Sequence, residues 1–329
     1  MTGWTCLLEA DPIPSELWPA HTARGWRVRY RDSGRVSSGS VFLPAYTTAR
    51  MPLLTWAHCF VGLDGHNAPS AHGLPRVERA HLSAWLAQGF AVAAADYRGL
   101  DGCGLSPFPG TQQIAADIMG ICPAARELDE RIEKTVLAGG FCQGARGALH
   151  ACPGPDLNYK GAVALAPPDY PAYFAHISDN PDFPADALML VLLDGVRRTA
   201  PEFRPRDFLT RTGVELLEAI STLSVPQMRQ LVAPYTVGDL GAAGSARYEP
   251  VAAALNRCAS FAPGIAKSVL VGTLGADPVS PRGAAQRMCE RLAERGAEVT
   301  HRSYIRGGHL DILRSAAADT LDWAIERAV

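Results

Sequence analysis

The stretch Val136-Leu137-Ala138-Gly139-Gly140-Phe141-Cys142-Gln143-Gly144-Ala145-Arg146-Gly147 constrains this chain more than any other. An apolar run with the character of a buried strand leads into Gly140-x-Cys142-x-Gly144, and small residues follow. This is the layout of a nucleophile elbow, G-x-S-x-G, with cysteine where serine is usual. Such a turn from strand to helix is strained, and glycines stand two residues either side because the flanking chain passes too close for a Cβ. Gly147 and Ala148 would let the following helix pack tightly on the strand. The pentapeptide alone is weak evidence. Two glycines four apart recur by chance roughly once or twice in a chain this long, and a free cysteine is often a small buried hydrophobe. The rest of the chain has to supply the partners.

The elements around the elbow alternate. Residues 1–24 read as irregular, with Pro12, Pro14 and Pro19. Residues 25–32 and 35–44 read as two antiparallel edge strands. The run 51–58 is continuously apolar, as in a strand buried on both faces. A loop from Cys59 to about Gly73 follows, then a helix over 75–88 with Val77, Leu82, Trp85 and Leu86 near one face. Residues 90–95 form another buried strand, residues 111–133 are largely helical with Pro123 as a break, and 161–166 is a short strand halted by Pro167-Pro168. Strand and helix in this rhythm imply a parallel sheet of about eight strands with right-handed crossovers and helices on both faces. The rhythm lapses between about 169 and 258, a mainly helical insertion, and returns with a strand at 266–272, a helix at 281–295, a strand at 298–304 and a closing helix at 310–328. The domain reading is therefore a core of 1–168 and 259–329 carrying a helical cap of 169–258.

Composition narrows the function. The 329 residues carry a formal net charge of −2 and no basic run, which excludes nucleic acid or an anionic membrane as the main partner. No apolar stretch is long enough to span a bilayer, and the first residues lack a basic segment followed by an apolar one, so the expected compartment is the cytoplasm. The eight cysteines include no C-x-x-C pair and are expected as free thiols. The nine histidines show no metal spacing, and no G-x-G-x-x-G opens an early helix, so neither a metal nor a cofactor is expected.

Two further motifs fall just past strand ends: Gly275-Ala276-Asp277-Pro278 and Gly307-Gly308-His309. The order Cys142, Asp277, His309 is that of a nucleophile, an orienting acid and a base converging on one edge of a parallel sheet. His309 would take the Cys142 proton, and Asp277 would fix the imidazole tautomer. Asp169 is the alternative acid. The oxyanion hole needs backbone N–H groups: Gln143 supplies one, and Cys59 or Phe60 the other. His58 reads as a brace for that loop, and Cys59 and Cys103 as structural. Arg146, one helical turn from Cys142, reads as a salt-bridge partner.

These residues resemble the α/β-hydrolase fold from about residue 25 to the end, and within it the secretory-lipase group. The resembling pieces are Ser38-Gly39-Ser40-Val41-Phe42-Leu43-Pro44, Trp56-Ala57-His58, Ala68-Pro69-Ser70, Asp96-Tyr97-Arg98-Gly99-Leu100 and Ala164-Leu165-Ala166-Pro167-Pro168. The resemblance implies a cap over the site and chemistry on acyl esters. The chain departs from that group at Cys142 in place of serine, at Cys59 in place of glycine, and at Asn67 in place of a disulfide cysteine. The cysteine elbow also resembles that of dienelactone hydrolases, which are much shorter and lack the insertion.

A cysteine nucleophile changes the expected reaction. A thiolate is intrinsically more nucleophilic than a hydroxyl, and the intermediate is a thioester, which favours amine over water as acceptor compared with an oxyester. The expected function is acyl transfer from a small-molecule ester or thioester, free or on a carrier protein. A thioesterase, acyltransferase or cyclase of specialised metabolism fits that reading. The alternatives are a carboxylesterase, lipase-like enzyme or lactone hydrolase, and, in another class, a non-catalytic binding protein on the same fold.

Overall fold

The computed structural model describes residues 6–46, 50–102, 104–200, 203–241, 249–258 and 268–328. Cys103 lies outside the described residues, as do the first two residues of the strand expected at 266–272. Nine strands form one sheet: β1 (Leu7–Pro12), β2 (Thr22–Asp32), β3 (Arg35–Pro44), β4 (Met51–Ala57), β5 (Ala91–Ala95), β6 (Ile132–Phe141), β7 (Asn158–Leu165), β8 (Ser268–Leu274) and β9 (Glu298–Tyr304). Their order is β1-β2-β3-β5-β4-β6-β7-β8-β9. The first three strands are antiparallel to their neighbours, and every pairing from β5 to β9 is parallel.

β6 lies inside the sheet, between β4 and β7. Side chains of the central strands alternate between two apolar layers, because successive residues of a strand point to opposite faces. Leu54, Trp56, Val92, Ala94 and Leu137 meet Leu82, Trp85 and Leu86 of helix α1 (Arg76–Ala87). Leu53, Ala57, Ala91, Ala93, Val136 and Ala138 meet Ile114 and Ile118 of helix α2 (Thr111–Leu128).

Three expectations need correction. β1 occupies part of the segment read as irregular. It is an exposed edge strand with a register shift near Leu7, so no burial pattern marks it. Helix α2 runs unbroken through Pro123 and ends at Leu128. The chain then turns sharply, with Asp129 Oδ1 accepting from the Arg131 N–H at 3.0 Å, and β6 starts four residues ahead of the apolar run. On α1, Val77 is exposed while Glu78 and His81 are buried.

The motifs scattered through the first hundred residues meet in one polar knot. Asp96, fully buried at the end of β5, accepts from Ser38 Oγ at 2.7 Å, from the Ser70 N–H at 2.9 Å and from Ser70 Oγ. Arg27 Nε donates to Ser70 Oγ at 3.1 Å. Burial pushes the Asp96 carboxyl up and these donors hold it down. A carboxylate in this position stays buried because every oxygen is partnered.

Between β7 and β8 the chain is helical: α4 (Tyr170–Ser178), α5 (Ala187–Thr199), α6 (Arg211–Ala219), α7 (Val225–Val232) and α8 (Glu249–Cys258), with helix α3 (Gln143–Leu149) preceding them. These five helices bury an apolar cluster of their own. α5 lies at its centre and is buried nearly all round, from Met189 to Val196. Leu63 and Phe108, from the loops after β4 and β5, join this cluster, and Arg198 Nη1 donates to the Ser106 carbonyl at 2.7 Å. The helical segment is thereby joined to the carboxyl edge of the sheet.

Candidate active site

From β4 the chain first lays β5 on one side, then crosses to lay β6 on the other. This is a topological switch point, where loops leave the carboxyl ends of adjacent strands in opposite directions and open a crevice. Cys59 and Phe60 follow β4, and Cys142 follows β6.

Cys142 has φ 55° and ψ −119°, a left-handed conformation that costs a non-glycine residue about 1–3 kcal/mol. The surroundings impose it. The Cys142 N–H donates to the Leu165 carbonyl at 2.9 Å, and α3 begins at the next residue. A Cβ on Gly140 would lie 2.4 Å from the Gly144 carbonyl oxygen, and one on Gly144 only 1.9 Å from the Ala57 carbonyl oxygen. Both glycines are therefore required by contact. Gly147 serves a different neighbour from the one expected. It lets α2 approach, since a Cβ there would lie 2.3 Å from Ile114 Cγ2.

Asp277 follows β8 and is 3% exposed. Its Oδ1 accepts from the N–H groups of Val279 and Ser280 at 2.9 and 3.2 Å, and its Oδ2 pairs with His309 Nδ1 at 2.6 Å. The carboxylate holds the proton on Nδ1 and leaves Nε2 for chemistry. The imidazole lies over Phe141, with ring centroids 4.9 Å apart, beside the elbow. Its Nε2 is buried and has no hydrogen-bond partner among the described residues. Burial disfavours the imidazolium, but Asp277 and the neighbouring Cys59 outweigh it and raise the His309 pKa to about 9. Asp169 is not at this position. Its Oδ1 accepts from the Ala172 N–H at 3.0 Å and caps α4.

The candidate oxyanion donors differ in what they already bind. Gln143 is the first residue of α3, so its N–H has no acceptor within the helix. The Cys59 N–H is already engaged, donating to Glu78 Oε1 at 3.1 Å. Among the described residues, nothing accepts from the Phe60 N–H. Glu78 also accepts from Trp56 Nε1 at 2.6 Å, and complete burial raises its pKa to about 7. His58 braces the loop, as expected. Its ring stacks on Tyr97 at 3.9 Å, its Nδ1 meets the Cys59 carbonyl at 2.6 Å, and Tyr97 Oη donates to the His58 carbonyl at 2.6 Å. Burial lowers the His58 pKa to about 4, which keeps it neutral. Arg146 is buried and donates through Nη1 to the Pro168 carbonyl at 3.1 Å, tying α3 to the loop after β7.

Three groups escaped the sequence reading. Glu78 was not singled out on the helix expected at 75–88. The Cys59 thiol, read as structural, interacts with both the Cys142 thiol and His309, and Cys142 together with burial pushes its pKa well up. The Tyr170 hydroxyl is buried near Cys142 without a hydrogen-bond partner among the described residues. Only Cys59 carried a signal, since it stands where the resembling group has glycine. Among the described residues, no group of three or more His, Cys, Asp or Glu side chains could hold a metal ion, and no helix is long and apolar enough to cross a membrane.

The sheet, its crossovers and the helices on both faces define the α/β-hydrolase fold. Solved structures of three proteins share it over nearly the whole chain. Candida antarctica lipase A in its closed state superposes with a TM-score of 0.74 at 17% identity, covering 98% of this chain and 82% of that one. A mutant of the rice cell wall degrading esterase LipA from Xanthomonas oryzae superposes at 0.75 and 16%, covering 99% of both chains. A putative hydrolase from Legionella pneumophila superposes at 0.75 and 14%, covering 98% of both. No family model matches the sequence, and no curated protein matches it either.

Proposed function

We propose that this chain is a hydrolase-type enzyme acting on a carboxylic ester or thioester. The observation that carries the reading is the elbow itself, with a left-handed Cys142 and the Asp277–His309 pair beside it at one sheet edge. The lipase and esterase among the similar structures support the carboxylester reading. The cysteine supports a finer one, in which the acyl group passes through a thioester to water, an alcohol or an amine.

In this mechanism Cys142 gives its proton to His309 Nε2, and its sulfur attacks the acyl carbonyl. The Gln143 and Phe60 N–H groups hold the developing oxyanion. His309 protonates the leaving group through Nε2, and Asp277 keeps the ring oriented. The acceptor then gives its proton to His309, attacks the thioester, and releases Cys142. The helices between residues 170 and 258 act as the cap that walls the acyl pocket and limits water.

The test is mass spectrometry of the intact protein after exposure to activated acyl esters and thioesters. An acyl adduct mapped to Cys142 is expected. Absence of any adduct and of any turnover would make the chain a binding protein on a hydrolase fold.

The His309 value sets a pH dependence. Below about 9 the imidazolium is present and can protonate the leaving group; above it that proton is lost. Activity of the native protein should therefore fall above about 9. A hydroxyl nucleophile instead needs the neutral imidazole as base, so the Cys142→Ser variant should gain activity as pH rises towards the same value. kcat/KM profiles of the two proteins check this, and parallel profiles would count against the cysteine mechanism.

A further inference from the structure

We propose that Cys59 and Cys142 form a reversible disulfide, with Cys59 as the resolving thiol for an oxidised Cys142. The strand register brings them together. Ala57 of β4 and Gly140 of β6 are paired Cα neighbours, and each cysteine stands two residues beyond its partner in that pair. Cys59 packs against the apolar cluster that contains Cys142, and the elbow lies directly against Ala57 and His58 at the end of β4. The Cys59 thiol interacts with the Cys142 thiol, and both cysteines are free. Its other neighbour is His309, which becomes a base for the Cys59 proton once it has given its own proton to the departing oxygen. The site is enclosed, Cys142 being 7% exposed, so a small oxidant fits more easily than a protein thiol.

The chemistry balances with a hydroperoxide as oxidant. The Cys142 thiolate attacks hydrogen peroxide and takes one oxygen to become a sulfenic acid, while the departing hydroxide takes a proton from the His309 imidazolium and leaves as water. His309 removes the Cys59 proton, and the Cys59 sulfur attacks the Cys142 sulfur. The sulfur–oxygen bond breaks, and the oxygen leaves with the proton as a second water. Two electrons pass from the sulfur pair to the peroxide. A dithiol reductant reverses the change by exchange.

The reduced full-length protein is treated with equimolar hydrogen peroxide, and remaining thiols are then blocked. Intact mass should fall by two hydrogens, and a non-reducing digest should contain one peptide joining Cys59 to Cys142. Dithiothreitol should restore both free thiols. In Cys59→Ser the same treatment should leave Cys142 as a sulfenic acid, one oxygen heavier and trapped by dimedone, with no joined peptide. Sulfinic or sulfonic Cys142 in the native protein, without a joined peptide, would overturn the proposal, as would a disulfide linking any other pair. The readout is covalent mass, so it stands apart from whether acyl transfer is the natural reaction.

Discussion

Cys142→Ala should abolish turnover, with kcat down by about a millionfold, as expected when a covalent nucleophile is removed. The fold should be retained, because alanine meets the same φ of 55° with one atom fewer and the surrounding contacts are backbone. Steady-state kinetics beside a thermal melt separate the two effects. Cys142→Ser is the finer experiment. It keeps the geometry but replaces the thioester with an oxyester, which discriminates less between amine or alcohol and water as acceptor. If the natural reaction is transfer, the serine variant should shift its products towards the free acid. If it is hydrolysis, the product should stay the same and only the rate should fall. Undiminished turnover by Cys142→Ala would remove the mechanism altogether.

Gly144→Ala should be the most damaging single methyl among the described glycines. The added Cβ would sit 1.9 Å from the Ala57 carbonyl oxygen, 2.4 Å from the Ala57 carbonyl carbon and 2.7 Å from the His58 carbonyl oxygen. All three are backbone atoms at the end of β4, and neither strand nor elbow can swing away as a flexible side chain would. Overpacking in a core typically costs about 1–3 kcal/mol, and a clash with fixed backbone should exceed that range. The expected result is loss of soluble folded protein, or a large drop in the denaturation midpoint with the elbow displaced. Gly147→Ala is the control. Its clash is with the Ile114 side chain at 2.3 Å, and a movement of α2 can relieve part of it. A Gly144→Ala protein as stable as the parent would mean that the elbow does not pack against β4 as described.

The elements nearest the elbow were the most legible. Apolar runs at 51–58 and 136–138 mark strands buried on both faces, and both lie inside the sheet. Segments at the periphery were less legible. β1 is an exposed edge strand, so its residues carry no burial pattern to read. The order Cys142, Asp277, His309 was visible because each follows a strand, and strand ends on one side of a parallel sheet converge whatever lies between them.

Local sequence thus determined which residues reach the carboxyl edge of the sheet, since alternation and chain order are properties of neighbours along the chain. Only the tertiary structure decided what those residues touch. Asp277 rather than Asp169 meets His309, because the first is carried in by β8 while the second is held as the cap of α4. The Cys59 N–H goes to Glu78, a carboxyl that folding buries against Trp56. The Cys59 thiol meets Cys142 because β4 and β6, separated by 74 residues between Ala57 and Ile132, are paired side by side. Hydrogen bonding and desolvation depend on such distant pairings, and spacing along the chain carries no record of them.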